Sequence, residues 1–130
     1  RYNTKYEWEL SRFVTKINTR IVGGASKLFS HFVNTVSPKS VITYADRRYF
    51  SGRLYEKLGF TFDAHTPPNY FYFERGSIEL RSRQKYQKHL LHNKLPEFSE
   101  TLTEWENMKR NGYNRIWDCG NSRYIWKSQQ

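Results

Sequence analysis

A short glycine-rich loop has a composition suited to binding a pyrophosphate. The loop reads Arg20-Ile21-Val22-Gly23-Gly24-Ala25 and lies between an apolar stretch and a predicted amphipathic helix. Glycine lets an anion approach the backbone N–H groups closely, and the dipole of a following helix adds positive charge. The residues predicted to bind a phosphate or pyrophosphate are Arg20, Val22, Gly23, Gly24 and Ala25. The alternative is an ordinary strand-to-helix turn without a ligand.

Two clusters of basic residues are candidates for contact with a nucleic acid. The first cluster, beside Asp46, follows a predicted strand and consists of Arg47, Arg48 and Arg53. Open sheets place ligand sites at the carboxyl ends of parallel strands, where arginine can contact phosphates or a guanine edge. The second cluster is a stripe interleaved with tyrosines and consists of Arg81, Arg83, Lys85 and Lys88. A solvated basic face without a ligand is the alternative for each of these residues.

Carboxylates, histidines and the single cysteine show no pattern typical of a metal site or a nucleophile. Asp46, Asp63 and Asp118 are scattered, and the glutamates between residues 97 and 106 are typical of a helix surface. A metal-dependent nuclease needs clustered carboxylates, so we predict no metal site in this chain. Cys119 lies in a predicted turn without an evident triad, and we interpret it as structural.

The elements that position these residues alternate between strands and helices. In chain order the first part is predicted to contain a strand over 7–16, a loop over 17–25, a helix capped by Ser26 that ends before Pro38, a strand over 41–45, a helix from Ser51 to Gly59, and strands over 60–62 and 70–73. Because a helix joins the first two strands, we expect them to pair in parallel.

The composition changes after Gly76, where a basic segment is followed by an acidic one. The elements predicted here are a short helix over 82–91, a helix that follows a capping box at Thr101–Glu104 and ends at Gly112, and a hairpin with strands over 113–117 and 123–126. The expected fold class is therefore α/β with a mixed α+β sheet, followed by a C-terminal helix and β-hairpin. We expect one domain over residues 1–130, with a core over 1–76 and an extension over 77–130.

The composition favours a polyanionic partner. The chain has 130 residues, and its 22 Lys and Arg against 12 Asp and Glu give a net charge of +10. Such a balance is typical of proteins that bind DNA or RNA, although a merely basic protein has the same composition. Aromatic residues make up 18% of the chain, so we expect some exposed rings that stack on bases. One cysteine favours a reducing interior, and no apolar run predicts a membrane span.

Residues 8–62 resemble the central part of the GCN5-related N-acetyltransferase (GNAT) fold. Two family patterns carry this resemblance: Gln/Arg-x-x-Gly-x-Gly/Ala at Arg20, Gly23 and Ala25, and Tyr-x-x-x-Gly-Phe at Tyr55, Gly59 and Phe60. The resemblance implies acetyl-CoA bound at the glycine loop, with Tyr55 as general acid toward the departing thiolate and Glu9 as general base. Arg48 stands where the family often has asparagine.

A longer set of motifs resembles the C-terminal module of bacteriophage homing endonucleases. These motifs include Val22–Leu28, Ala45–Arg48, Tyr55–Phe60, Pro67–Tyr70 and Gly112–Asn121. The resemblance implies a noncatalytic module that targets DNA on a reused GNAT-like scaffold and needs no cofactor. It also implies a monomer in the cytoplasm of the infected bacterial host, with a separate nuclease domain in the full-length chain. An acetyl-CoA-dependent N-acetyltransferase and a phage protein-interaction domain with aromatic patches are the alternatives.

Overall fold

The computed structural model describes residues 3–129 and shows an α+β protein, which confirms the predicted class. Within that range the chain forms two compact units: residues 3–67 with 119–129, and Pro68–Asp118. The units divide the chain after Pro67 and after Asp118, whereas the predicted internal division follows residue 76. Residues 1, 2 and 130 of the predicted domain lie outside the described range. Every helix between residues 3 and 129 is too short or too polar to cross a bilayer.

The first unit is a mixed sheet with two helices. Its elements are β1 (Trp8–Leu10), α1 (Gly24–Val36), β2 (Ser40–Asp46), α2 (Arg53–Lys57), β3 (Thr61–His65) and, after the second unit, the strand Asn121–Lys127. The strand order is β1, β2, Asn121–Lys127, β3. β1 and β2 are parallel, which confirms the predicted helical crossover, and Asn121–Lys127 is antiparallel to both of its neighbours.

The first strand is much shorter than the predicted strand over 7–16. β1 pairs with β2 only as far as Leu10, which lies opposite Thr43, and the Thr43 hydroxyl then donates a hydrogen bond to the Leu10 carbonyl at 2.8 Å. β2 continues to Asp46 without β1 beside it. The two strands therefore part after Leu10, and this opening becomes a pocket.

Both helices of the first unit have a glycine at the N-cap, where the sequence predicted a serine at the helix start. Gly23, with a φ of 71°, is the N-cap of α1, because its carbonyl accepts the first helical bond from Lys27 at 3.0 Å. The prediction that Ser26 caps this helix is wrong for that reason. Gly52, with a φ of 82°, precedes α2, so the predicted start at Ser51 is also displaced. A left-handed backbone at these two positions favours glycine.

The core of the first unit lies between α1, α2 and one face of the sheet. Its buried residues are Phe29, Val41, Ala45, Phe60 and Tyr124. The spacing of Leu28, Phe29, Phe32, Val33 and Val36 predicts one apolar face of α1. The structure confirms it for Phe29, Phe32 and Val33, which belong to or pack against this cluster, whereas Leu28 and Val36 are exposed. The Phe29 ring lies 5.2 Å from the Phe60 ring, measured between centroids. These aromatic contacts fix the helices on the sheet.

The second unit is an antiparallel sheet with short helical segments. Its elements are β4 (Tyr70–Glu74), β5 (Arg81–Ser82), two 3₁₀ segments (Arg83–Tyr86 and Lys88–Asn93), α3 (Glu104–Arg110) and β6 (Tyr113–Trp117), with the strand order β5, β4, β6. The remaining strand, Asn121–Lys127, is β7. The buried core of this unit consists of Tyr70, Tyr72, Tyr86, Leu91, Leu95 and Met108.

Two local predictions in the second unit are wrong. The helix expected over 82–91 is two 3₁₀ segments, because Gln87 is extended, with a ψ of 143°, and interrupts the helical turns. The capping box lies two residues later than Thr101–Glu104. The Thr103 hydroxyl accepts from the Glu106 N–H at 3.2 Å, and the Glu106 carboxylate accepts from the Thr103 N–H at 2.8 Å.

The predicted C-terminal hairpin is also wrong. β6 pairs with β4 in the second unit, whereas β7 lies between β2 and β3 in the first. The two strands are separated because their inward residues belong to different cores: Tyr113 packs against the cluster around Tyr72, and Tyr124 is buried beside Phe29. The second unit is thus an insertion between two neighbouring strands of the first.

Candidate nucleic-acid interface

The carboxyl ends of β1 and β2 bring two basic loops to one edge of the first unit. Because the strands are parallel, the loop after Leu10 and the loop after Asp46 leave the sheet from the same side. The exposed cations on these loops and on the helix starts that follow them are Arg12, Lys16, Arg20, Lys27, Arg47, Arg48 and Arg53. We call this set the basic edge.

The cations of the basic edge have no carboxylate partners among the described residues. The salt bridges within residues 3–129 join Arg81 to Glu74, Arg110 to Glu97 and Arg123 to Asp63. Charge is also unevenly distributed along the chain, since twelve of the 22 basic residues but only five of the 12 acidic ones belong to the first unit as described. An exposed cation without a carboxylate is available to an external anion.

Asp46 organises the loop that carries the arginines. Its carboxylate accepts the Arg48 N–H at 2.9 Å, and its carbonyl accepts the N–H groups of Tyr49 at 3.1 Å and Phe50 at 2.9 Å. The carboxylate thus orders the Arg48 backbone. The Arg48 guanidinium lies over the Tyr49 ring, 5.0 Å from its centroid. Arg47, on this turn, and Arg53, at the start of α2, are both exposed.

A pocket of about 390 Å³ opens where β1 and β2 part. Both basic loops contribute to its wall, and its lining includes Arg12, Asp46, Phe50, Arg53, Tyr55 and Asn121. The volume lies within the range of about 300–1,000 Å³ that is usual for small-molecule sites. Two arginines with one carboxylate leave the pocket suited to an anionic ligand.

The glycine loop lies at the N-terminus of α1. No side chain caps this helix, and its first turn contains no acidic residue, so the positive end of the helix dipole is not neutralised. Gly24 and Ala25 belong to the first helical turn, and the Gly24 N–H donates to the Ile21 carbonyl at 3.3 Å. The loop does not contribute to the lining of the 390 Å³ pocket. Phosphate binding by this loop stays a prediction.

The two residues with implied acetyltransferase roles line different cavities. Tyr55 faces the 390 Å³ pocket and packs against Phe60 and Tyr124, with ring centroids 5.8 Å apart in both pairs. Glu9 instead lines a mostly apolar groove of about 230 Å³ beside α1, together with Trp8 and Leu28. The structure does not place Glu9 and Tyr55 around one reaction centre.

The predicted stripe in the second unit is largely engaged in internal contacts. Arg81 donates to the hydroxyls of Tyr86 at 3.1 Å and Tyr113 at 3.3 Å, and it pairs with Glu74. The hydrogen bond to Tyr86 and the nearby charges raise the pKa of Arg81 above its usual value. Arg83 donates to the Asn69 amide oxygen at 3.1 Å. These contacts stabilise the fold of the unit.

The two lysines of that stripe differ in whether their ammonium groups have an internal hydrogen-bond partner. The Lys88 ammonium donates to the Glu100 carbonyl at 2.9 Å. The Lys85 side chain is exposed, and its backbone carbonyl accepts a bond from Lys94. Of the four predicted residues, Lys85 is thus the one whose charged group is most available to a ligand.

Sequence reasoning missed several residues of the basic edge. The missed cations are Arg12, Lys16 and Lys27. The missed aromatic residue is Phe50, which follows Tyr49 in the chain and lines the pocket. The signal for Arg12 is its position just after an apolar strand, and the signal for Tyr49 and Phe50 is their position between Arg48 and Arg53. Among the described residues, no three His, Cys, Asp or Glu side chains lie close enough together to hold a metal ion.

Comparison with known proteins gives no significant match to a family model, a curated protein or a solved structure. The resemblances to the GNAT fold and to the phage module therefore rest on their sequence motifs and stay predictions.

Proposed function

We propose that this chain is a noncatalytic DNA-binding module whose basic edge contacts phosphates. The observation that carries the proposal is the cluster of exposed cations on two loops at the carboxyl ends of β1 and β2, without salt-bridge partners in the described chain. Neutralising phosphates releases condensed counterions, and this release drives nucleic-acid binding. In line with the phage resemblance, the module would target a nuclease domain carried elsewhere in a phage protein.

The parting of β1 and β2 supports the same proposal. It brings Arg12, which follows β1, and Arg53, at the start of α2, into the lining of a single pocket together with Asp46. Cations contributed by two different segments can bind a phosphate backbone in a fixed register. The ordered turn lowers the entropy that the Arg47 and Arg48 backbone would otherwise lose on binding.

The test is fluorescence anisotropy of a labelled duplex at several salt concentrations. The variant Arg47→Gln/Arg53→Gln removes two charges from the basic edge. If each arginine contacts one phosphate, the slope of log K against log salt should become shallower by about 2. Its matched control is Lys39→Gln/Lys127→Gln, which removes two exposed charges at the opposite end of β2, where Lys127 lies opposite Ser40.

The two double variants have the same net charge, so they separate a localised site from a diffuse charge effect. The proposal predicts an unchanged salt slope for Lys39→Gln/Lys127→Gln. Equal slopes for the two variants would refute the assignment to the basic edge. Salt-independent binding, or no binding at low salt, would refute the proposed function itself.

An acetyl-CoA-dependent N-acetyltransferase is the second candidate. The N-terminus of α1, which has no side-chain cap, and the position of Tyr55 in the pocket support it. The residues that would hold the pyrophosphate are Arg20, Val22, Gly23, Gly24 and Ala25, and the cofactor would supply the acetyl group. Titration calorimetry with acetyl-CoA tests this candidate, because heat that vanishes in Arg20→Gln is expected only if the loop binds the cofactor. Absence of heat at millimolar acetyl-CoA would eliminate the candidate.

A further inference from the structure

Two aromatic rings are exposed within the basic edge. Tyr49 and Phe50 retain 65% and 66% of their accessible surface, although they lie between arginines on an ordered turn. Single exposed apolar residues are common on protein surfaces and require no explanation. Phe50 differs from such residues, because it lines the 390 Å³ pocket and its exposed ring can be reached by a flat ligand.

Hydrogen bonds order the backbone segment that carries these rings. The carbonyl of Asp46 accepts the N–H groups of both residues, and its carboxylate accepts the N–H of Arg48 between them and the strand. The Tyr49 and Phe50 rings meet edge to face, with centroids 6.3 Å apart, and Arg48 covers the Tyr49 ring. Phe50 is thus the ring that lines the pocket and is left for a ligand to stack on.

The pocket beside Phe50 has the chemistry to accept a nucleotide. Arg12 and Arg53 can bind its phosphate, and Asn121 can read the polar edge of its base. The Asn121 backbone is fixed by hydrogen bonds with Thr66, at 2.9 Å through its N–H and 2.7 Å through its carbonyl. Its side-chain amide makes no hydrogen bond with the other described residues, so both of its polar groups are available.

We propose that the basic edge prefers nucleic acid with an unpaired nucleotide, whose base stacks on Phe50 and enters the pocket. This inference rests on the proposed DNA-binding function and specifies its substrate class. In a duplex the base faces are covered by neighbouring pairs, so a protein ring can stack only on a base that has left the helix. The arginines then bind the backbone on either side of that base.

The test compares three labelled oligonucleotides of one sequence: a full duplex, the same duplex with one unpaired nucleotide, and the single strand. The wild-type protein should bind the second and third more tightly than the duplex by about 5- to 150-fold, the stacking contribution of one base. Phe50→Ala should remove that preference, so that the three oligonucleotides bind with similar affinity. Phe50→Leu should also remove most of it, because leucine keeps the apolar bulk without a π-face.

A control variant addresses general apolar contact. Ile17→Ala removes a side chain with 83% exposure from the other loop, and it should preserve the preference for the unpaired nucleotide. Equal, salt-dependent affinity for all three oligonucleotides would overturn this inference while leaving the proposed function intact. A preference that survives in Phe50→Ala would also overturn it. Failure to bind any of the three at low salt would instead refute the proposed function.

Discussion

Replacing Gly52 with alanine should destabilise the first unit more than any other replacement of a helix-capping glycine there. Gly52 has a φ of 82°, and a methyl group on its Cα would overlap the hydroxyl and ring of Tyr124. Tyr124 is only 3% exposed, and its hydroxyl donates to the Ser51 carbonyl at 3.2 Å. The ring cannot move aside without disturbing the core around Phe60.

The magnitude follows from two separate penalties. A left-handed backbone costs an L-residue about 1–2 kcal/mol, and overpacking a core costs about 1–3 kcal/mol. Gly52→Ala should therefore lower the free energy of unfolding by about 2–5 kcal/mol. Gly23→Ala is the matched control, because Gly23 also caps a helix, with a φ of 71°, but its added methyl group would meet nothing within 4 Å. It should lose only the backbone penalty.

The assay is chemical denaturation followed by tryptophan fluorescence and far-UV circular dichroism. Trp126 packs against the Phe29 ring, so its emission reports on the core of the first unit. The account predicts that Gly52→Ala is less stable than Gly23→Ala by about 1–3 kcal/mol. Equal losses for the two variants would refute the reasoning that the bare Cα of Gly52 makes room for Tyr124.

Two further predictions concern the second unit. Asn107 is fully buried, and its amide donates to the Ser99 carbonyl and accepts from the Ser99 N–H, both at 2.9 Å. Asn107→Ala should lower the free energy of unfolding by about 2–4 kcal/mol, because several buried polar groups lose partners. Asn114 is exposed, so Asn114→Ala should change this free energy little. Similar losses for the two variants would contradict the account. Burial and the hydrogen bond to Glu104 raise the pKa of Tyr72 above its usual value of 10.0. As pH rises, the unfolded state loses this proton before the folded state does. The free energy of unfolding should therefore decline above pH 10 by up to about 1.4 kcal/mol per pH unit. A decline of equal slope in Tyr72→Phe would show that Tyr72 is not its cause.

Local patterns predicted the elements whose signals are confined to neighbouring residues. The apolar spacing of Phe29, Phe32 and Val33 gave the buried face of α1, and the helical crossover gave the parallel pairing of β1 and β2. These features depend on helical periodicity and chain connectivity, which are visible in any one segment. The partners of β6 and β7 depend on which core each strand joins, so the local turn at Cys119 predicted the wrong pairing.

The candidate site was predictable only in part for the same reason. Arg47 and Arg53 stood out because they follow a strand, and the structure leaves both exposed. Arg81 had the same local appearance, but its hydrogen bonds reach Tyr86 and Tyr113, the second of which lies on another strand. Whether an arginine is free or engaged depends on tertiary neighbours. The pocket beside Arg12 likewise depends on where two strands separate, which no single segment encodes.

The most direct test of the central claim is a map of backbone amide chemical shifts during titration with a short oligonucleotide that has one unpaired nucleotide. The account predicts that the large shifts fall within residues 11–27 and 46–55 and at Asn121, where the basic edge and its pocket lie. Lys39 and Lys127, at the opposite end of β2, should show none. Shifts concentrated in Pro68–Asp118, or spread evenly over all exposed cations, would contradict the claim that the first unit carries the nucleic-acid interface.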